Sequence, residues 1–260
     1  MNFIKRRGGG RVEVSEERGV RYLHLGNEAV QSAMRIARPF DLELAYTRAM
    51  MAGLMLHSNP NSLCMIGLGG GSIAKFVHRR LPRMRVHVVE INPDVIAVAR
   101  NMFGLPPDDV RLRVELADGA RFVATAKGCG DLLLVDGFDR LAQAEALATE
   151  KFYEHAIASL RPQGMIVVNL LRDDPGLERY MRRIEKACPG GTLGLEAEDE
   201  PNFIVFGFRD APAALRWDTL RQRAQKLERT TGLAFHELLK GLRNCNEATR
   251  TLLKVRTRDA

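Results

Sequence analysis

Four carboxylates stand where short apolar runs give way to turns: Glu90, Asp118, Asp136 and Asp139. Glu90 closes the run Val86-His-Val-Val-Glu90, and it lies 23 positions after Gly67 of Gly67-Leu-Gly-Gly-Gly-Ser72. A glycine turn after one strand, with an acid at the tip of the next, is a nucleotide-binding pattern. The glycines let the backbone approach a ligand closely, and the acid accepts hydrogen bonds from a ribose diol. Asp118-Gly119 follows a third apolar run, Asp136 ends Leu132-Leu-Leu-Val135, and Asp139 comes three residues later. Each acid also has a plainer role. Asp118 suits a helix N-cap, Asp139 a cap or a solvated loop, and Glu90 a surface position. Asp136 follows a buried run and is either an exposed strand tip or desolvated. Together, four acids on one rim suit a nucleoside with a cationic group better than a dinucleotide pyrophosphate.

Only a parallel sheet brings such acids to one edge, because ligands bind outside the carboxyl ends of its strands. Apolar runs predict strands at 62–66, 85–90, 110–115, 131–135 and 164–170, with helices at 72–81, 94–103, 119–126 and 149–160 between them. The fold class is therefore α/β, a mostly parallel sheet with helices on both faces. A helix near 175–188 precedes two closing strands, Thr192–Glu196 and Phe203–Phe208, with a hairpin turn around Glu198-Asp-Glu-Pro201. Upstream, Arg11–Val14, Val20–Leu25 and Ala29–Met34 read as short β structure, and Leu42–Leu56 has helical spacing. Residues 1–10 read as mobile. The expected divisions are a β segment over 1–41, an α/β nucleoside-binding domain over 42–210 and a helical extension over 211–260, broken near Thr230-Thr-Gly232.

With 260 residues, 45% of them hydrophobic, the chain can bury a substantial core. No apolar run reaches the roughly 18 residues of a membrane span. The basic N-terminus has no apolar segment behind it, so the expected location is cytoplasmic. Cys64, Cys129, Cys188 and Cys245 are scattered and read as reduced thiols, and the histidines show no metal-ligand spacing with them, so no metal is expected. The net charge of +7 is uneven: residues 211–260 hold eleven Lys/Arg and five Asp/Glu. That tail reads first as a solvated helical face, with nucleic acid as the alternative partner.

The motifs also carry a resemblance. Gly26-Asn-Glu-Ala-Val-Gln-Ser32, Gly67-Leu-Gly-Gly-Gly-Ser72, Val89-Glu-Ile-Asn-Pro-Asp94, Ala117-Asp-Gly119, Leu134-Val-Asp136 and Phe152-Tyr153, in this order, resemble the spermidine synthase (polyamine aminopropyltransferase) family. The likeness runs from Val12 to Phe208 and leaves the tail outside. It implies a class I methyltransferase-like (Rossmann-like) fold. The implied reaction moves an aminopropyl group from decarboxylated S-adenosylmethionine to a di- or polyamine, releasing methylthioadenosine. The donor is a co-substrate, and no tightly bound cofactor is implied. Glu90 and Gln31 would bind the ribose, Asp118 the adenine amino group, and Gly67, Gly69 and Gly119 would line the donor. Asp136, with Asp139 and Tyr46, would form the reaction centre. The resemblance further implies a homodimer joined through the N-terminal β segment.

Three departures bear on the tails of donor and acceptor. Gly70 stands where the family carries an acid that helps to hold the donor's amine. Asp136-Gly-Phe-Asp-Arg140 replaces Asp-Ser-Ser-Asp-Pro, and Tyr46-Thr-Arg48 replaces Tyr-His-Glu. Two alternatives stay open on these residues: an S-adenosylmethionine-dependent methyltransferase, and a nucleoside-binding relative without catalysis.

Overall fold

A computed structural model describes residues 4–5, 12–26, 30–137 and 144–257. The expectation of mobility for residues 1–10 falls almost wholly outside them. Four short strands form an antiparallel sheet in chain order: β1 (Ile4–Lys5), β2 (Val12–Glu17), β3 (Val20–Leu25) and β4 (Ser32–Arg35). β2 turns into β3 through Arg18 and Gly19, both with positive φ (50° and 77°), as a two-residue hairpin twist requires.

The helical run of Leu42–Leu56 resolves into α1 (Ala45–Met50) and α2 (Gly53–Leu56). Between them the amides of Met51, Ala52 and Leu54 bond to carbonyls three residues back, which tightens the helix for a turn. Close packing accompanies this turn: a Cβ at Gly53 would lie 3.1 Å from the Val167 side chain.

The main sheet alternates with helices: β5 (Ser62–Ile66), α3 (Ser72–Arg80), β6 (Arg85–Glu90), α4 (Pro93–Met102), β7 (Leu112–Leu116), α5 (Gly119–Thr125) and β8 (Leu132–Val135). A single 3-10 turn at Glu145–Leu147 precedes α6 (Glu150–Ser159), β9 (Met165–Leu171) and α7 (Leu177–Ala187), and β10 (Thr192–Glu196) and β11 (Asn202–Phe208) close the sheet as a hairpin. The spatial order is β10-β11-β9-β8-β5-β6-β7. The strands from β5 to β9 are parallel, and β11 runs against both β9 and β10. The strand expected from residue 110 starts at Leu112. Asp109 Oδ1 accepts the amides of Arg111 and Leu112 and turns the chain, leaving Val110 exposed.

Both faces of the sheet are buried, as continuously apolar strands require. In β8, Leu132 and Leu134 pack into the cluster holding α1–α4, while Leu133 and Val135 pack into the one holding α5–α7. α3 buries Lys75 completely; its Nζ donates to the Phe103 carbonyl at 2.5 Å, and burial lowers its pKa to about 8.

The C-terminal part comprises β12 (Leu215–Arg216), α8 (Trp217–Thr231), α9 (Phe235–Cys245) and β13 (Leu252–Leu253), which pairs with β12. α8 ends at Gly232, at φ 76°, where the sequence predicts the break. Trp217, Leu220, Phe235 and Leu242 join the apolar cluster of α1–α4. Arg221, Lys226, Arg229 and Lys240 stay exposed. Among the described residues, no helix is long and apolar enough to cross a membrane.

Candidate active site

The strand tips place the chemistry. The sheet's hydrogen bonding runs past the strand ends, from Gly67 N to Val89 O, Ala117 N to Glu90 O and Asp136 N to Ile66 O. These bonds fix the residues that follow β5, β7 and β8 side by side. The chain order reverses between β5 and β8, which opens a crevice at that edge. A cavity of about 590 Å³ occupies it.

At one end of the cavity, Gly67 carries φ 93°, and a Cβ there would fall 2.2 Å from the Asp136 carbonyl oxygen. Only glycine lets these two loops touch. Glu90 braces the turn: Oε2 accepts from Leu68 N and Oε1 from Asn92 N, each at 2.8 Å. Burial pushes its carboxyl above the usual range, although the amides of Asn92, Leu68 and Ile91 pull the other way. Asp118 caps α5, its Oδ1 accepting from Ala120 N at 2.8 Å and Arg121 N at 3.1 Å, and it also lines the cavity. The cap and the cavity position therefore coexist in one side chain. Gly119 starts α5 so close to β5 that a Cβ would meet Ile66 Cγ2 at 2.4 Å. Gly69 and Gln31 line the same wall.

At the other end, Asp136 Oδ1 accepts from Asn169 Nδ2 at 2.9 Å, and Asn169 Oδ1 accepts from Asn202 Nδ2 at 2.9 Å. The Tyr46 hydroxyl donates to the Gln31 carbonyl oxygen at 3.3 Å and lines the same cavity as Asp136. Burial raises the Asp136 pKa; the Asn169 amide and the Tyr46 hydroxyl oppose the shift, and the Glu90 charge adds to it. Burial, then Asp136 and Glu200, lift the Tyr46 hydroxyl well above its usual pKa, so it stays a donor at neutral pH. Arg48 does not line the cavity; its guanidinium donates to the carbonyls of Leu42 and Glu43. Asp139, Phe138 and Arg140 lie outside the described residues.

Three cavity residues escape a reading of strand tips alone: Asn169, Glu200 and Asn202. Asn169 did leave a signal, a lone amide in the apolar run Met165-Ile-Val-Val-Asn-Leu-Leu171. Glu200 was hidden in an acidic turn that reads simply as a hairpin. Asn202 stands at this rim because β11 is antiparallel, so its first residue shares the edge with the ends of the parallel strands.

Gly70 has no room for an acid. A Cβ there would lie 2.6 Å from Phe103 Cδ1 and 2.8 Å from Ser32 Oγ.

A seven-stranded sheet of this order, with a glycine turn and acids at its carboxyl edge, has the class I methyltransferase-like architecture. The spermine/spermidine synthase domain model matches residues 43–189. A polyamine aminopropyltransferase of Chromobacterium violaceum is 41% identical over 92% of this chain and 91% of its own. The chain belongs to the spermine/spermidine synthase family. A spermidine synthase solved with the transition-state analogue AdoDATO shares the fold, at TM-score 0.74 and 19% identity over 92% of this chain and 84% of that one. Human methyltransferase-like protein 13, solved with SAH, is 30% identical at TM-score 0.65, over 72% of this chain and 92% of that one.

Proposed function

We propose that this protein is a polyamine aminopropyltransferase, which transfers the aminopropyl group of decarboxylated S-adenosylmethionine to a di- or polyamine and releases methylthioadenosine. One observation carries the reading. Glu90, Asp118, Asp136 and Glu200 line one cavity, and no Lys, Arg or His lines it among the described residues. Such a site suits cations that would be costly to bury unpaired.

The roles follow from geometry and chemistry. Glu90 braces the glycine turn through one lone pair of each oxygen, which leaves further acceptor capacity for the ribose hydroxyls. Asp118 Oδ2, free of the cap, accepts from the adenine amino group, while Gly67, Gly69, Gly119 and Gln31 wall the nucleoside. An alkyl ammonium, with a pKa of about 10, must lose a proton before it attacks. Asp136 accepts that proton, and Asn169 holds its carboxylate in place, with Tyr46 in the same cavity. The amine nitrogen then bonds to the methylene beside the sulfonium. The carbon–sulfur bond breaks, and its electron pair neutralises the sulfur. Asp139 is assigned to the reaction centre from the sequence motif alone. With Gly70 supplying no carboxylate, Asp136 also serves the donor's amine.

The same reading includes a cytoplasmic enzyme and a homodimer formed through the N-terminal sheet, where β4 is an edge strand and Val30 and Ile36 are exposed.

Methyl transfer from S-adenosylmethionine has the human relative and Gly70 in its favour. Against it, the donor's carboxylate would enter a cavity with four acids and no cationic side chain among its described lining residues. Turnover with each donor separates the two. Methylthioadenosine release only with the decarboxylated donor and an amine is expected; S-adenosylhomocysteine formed from S-adenosylmethionine would contradict the proposal.

A further inference from the structure

Glu200 stands in the cavity, yet the residues that bind the nucleoside and take the proton leave it without a role. It comes from the turn between β10 and β11, two residues before Asn202. Its Oε1 accepts from Ala45 N at 2.9 Å and its Oε2 from Tyr46 N at 2.7 Å. These bonds fix the carboxylate while leaving each oxygen a second acceptor site. Among the described residues no cationic side chain forms an ion pair with this carboxylate; Arg172 donates to the Glu200 backbone carbonyl at 3.1 Å and pairs with Glu196.

Tyr46 relates this acid to the reaction centre. Glu200 accepts from the backbone amide of Tyr46, and the Tyr46 hydroxyl, bonded to the Gln31 carbonyl, lines the same cavity as Asp136. Two carboxylates thus line the cavity that this tyrosine shares. The cavity also carries Leu44, Leu171 and Pro201. Leu44 precedes the amides that Glu200 accepts, Pro201 follows Glu200, and Leu171 pairs with Asn202 across the sheet. Apolar wall and paired acids fit a chain of methylenes with a cation at each end. α1 brings no acid of its own to this end, because Arg48 follows Thr47 and is occupied with the carbonyls of Leu42 and Glu43.

We propose that Glu200 anchors the far ammonium of a linear α,ω-diamine and so sets acceptor length, while the near amine is deprotonated at Asp136. This inference rests on the aminopropyl-transfer reading. A diamine of the right length meets both acids; a shorter one reaches only one of them, and a monoamine leaves Glu200 without its cation.

The test is kcat/KM across a homologous series of linear diamines and the matching monoamines, with methylthioadenosine affinity measured by calorimetry on each variant. Glu200→Gln is expected to cut the preference for diamine over monoamine by about tenfold or more, chiefly through KM. Glu200→Asp, shorter by one methylene, is expected to move the optimum to a longer diamine. It also keeps the inference testable if the Gln variant fails to bind methylthioadenosine. If both acceptor types lose activity equally, or the length profile of Glu200→Asp is that of the wild type, Glu200 only caps α1 and the inference is overturned. A wild-type protein that binds methylthioadenosine but uses no amine would overturn the transfer reading itself, and this inference with it.

Discussion

At the scale of single residues, Asp136 bears the conflict between stability and function. Burial raises its pKa, so the carboxyl ionises less readily in the folded protein than in the unfolded chain. For a carboxyl raised on folding, stability is greatest below its unfolded pKa and falls as pH rises through the folded one. Under the proposed mechanism activity runs the other way, since only the carboxylate takes a proton from the amine. The acid limb of kcat/KM is therefore expected to lie above the pH range of an ordinary aspartate, with activity rising as pH rises. Asp136→Asn should remove that limb and cost about a hundredfold or more in turnover. The variant should still bind methylthioadenosine and melt no lower than wild type at neutral pH, since the amide avoids the buried charge. Full turnover in the variant, measured by methylthioadenosine release, would remove Asp136 as the base. Glu90, Asp118 and Asp136 were legible in the sequence because each follows an apolar run that could only be a strand. Glu200 was not, because its place depends on how a hairpin folds back over α1, a contact between residues far apart in the chain.

At the scale of elements, the glycine turn differs from the family pattern for a packing reason. Position 70 faces the fully buried Phe103 and the Ser32 hydroxyl, so an acid cannot be restored there without displacing them. Gly70→Asp is expected to lower stability by about 1–3 kcal/mol and to weaken, not strengthen, donor binding. Chemical denaturation together with calorimetric titration of methylthioadenosine checks both. A variant as stable as wild type that binds the decarboxylated donor more tightly would show that the turn can open. The sequence shows the glycines, and their spacing from Glu90 predicts their use. It does not show that β4 and the end of α4 close over the turn, since nothing local in either segment specifies that packing.

At the scale of the whole molecule, the alternation of strands and helices was readable from periodicity, and so were the closing hairpin and the break at Gly232. The seat of the C-terminal helices was not. Their amphipathic pattern shows that one face is buried without naming what covers it. In the fold, Trp217, Leu220, Phe235 and Leu242 complete the core, Arg223 donates to the Met55 and Leu56 carbonyls, and Asn246 exchanges hydrogen bonds with Gly194. Removing residues 211–260 is therefore expected to abolish cooperative folding, as followed by thermal melting. A truncated chain that melts as wild type would make the helices dispensable. In the proposed reaction this acid-lined cavity joins an aminopropyl group to an amine. Mass spectrometry of the acceptor tests it most directly, after incubation of the wild-type protein and Asp136→Asn with decarboxylated S-adenosylmethionine and a diamine. Aminopropyl transfer predicts a product one aminopropyl unit heavier, in step with methylthioadenosine, from the wild type and almost none from the variant. An acceptor of unchanged mass in the presence of bound donor, or equal product from both proteins, would contradict it.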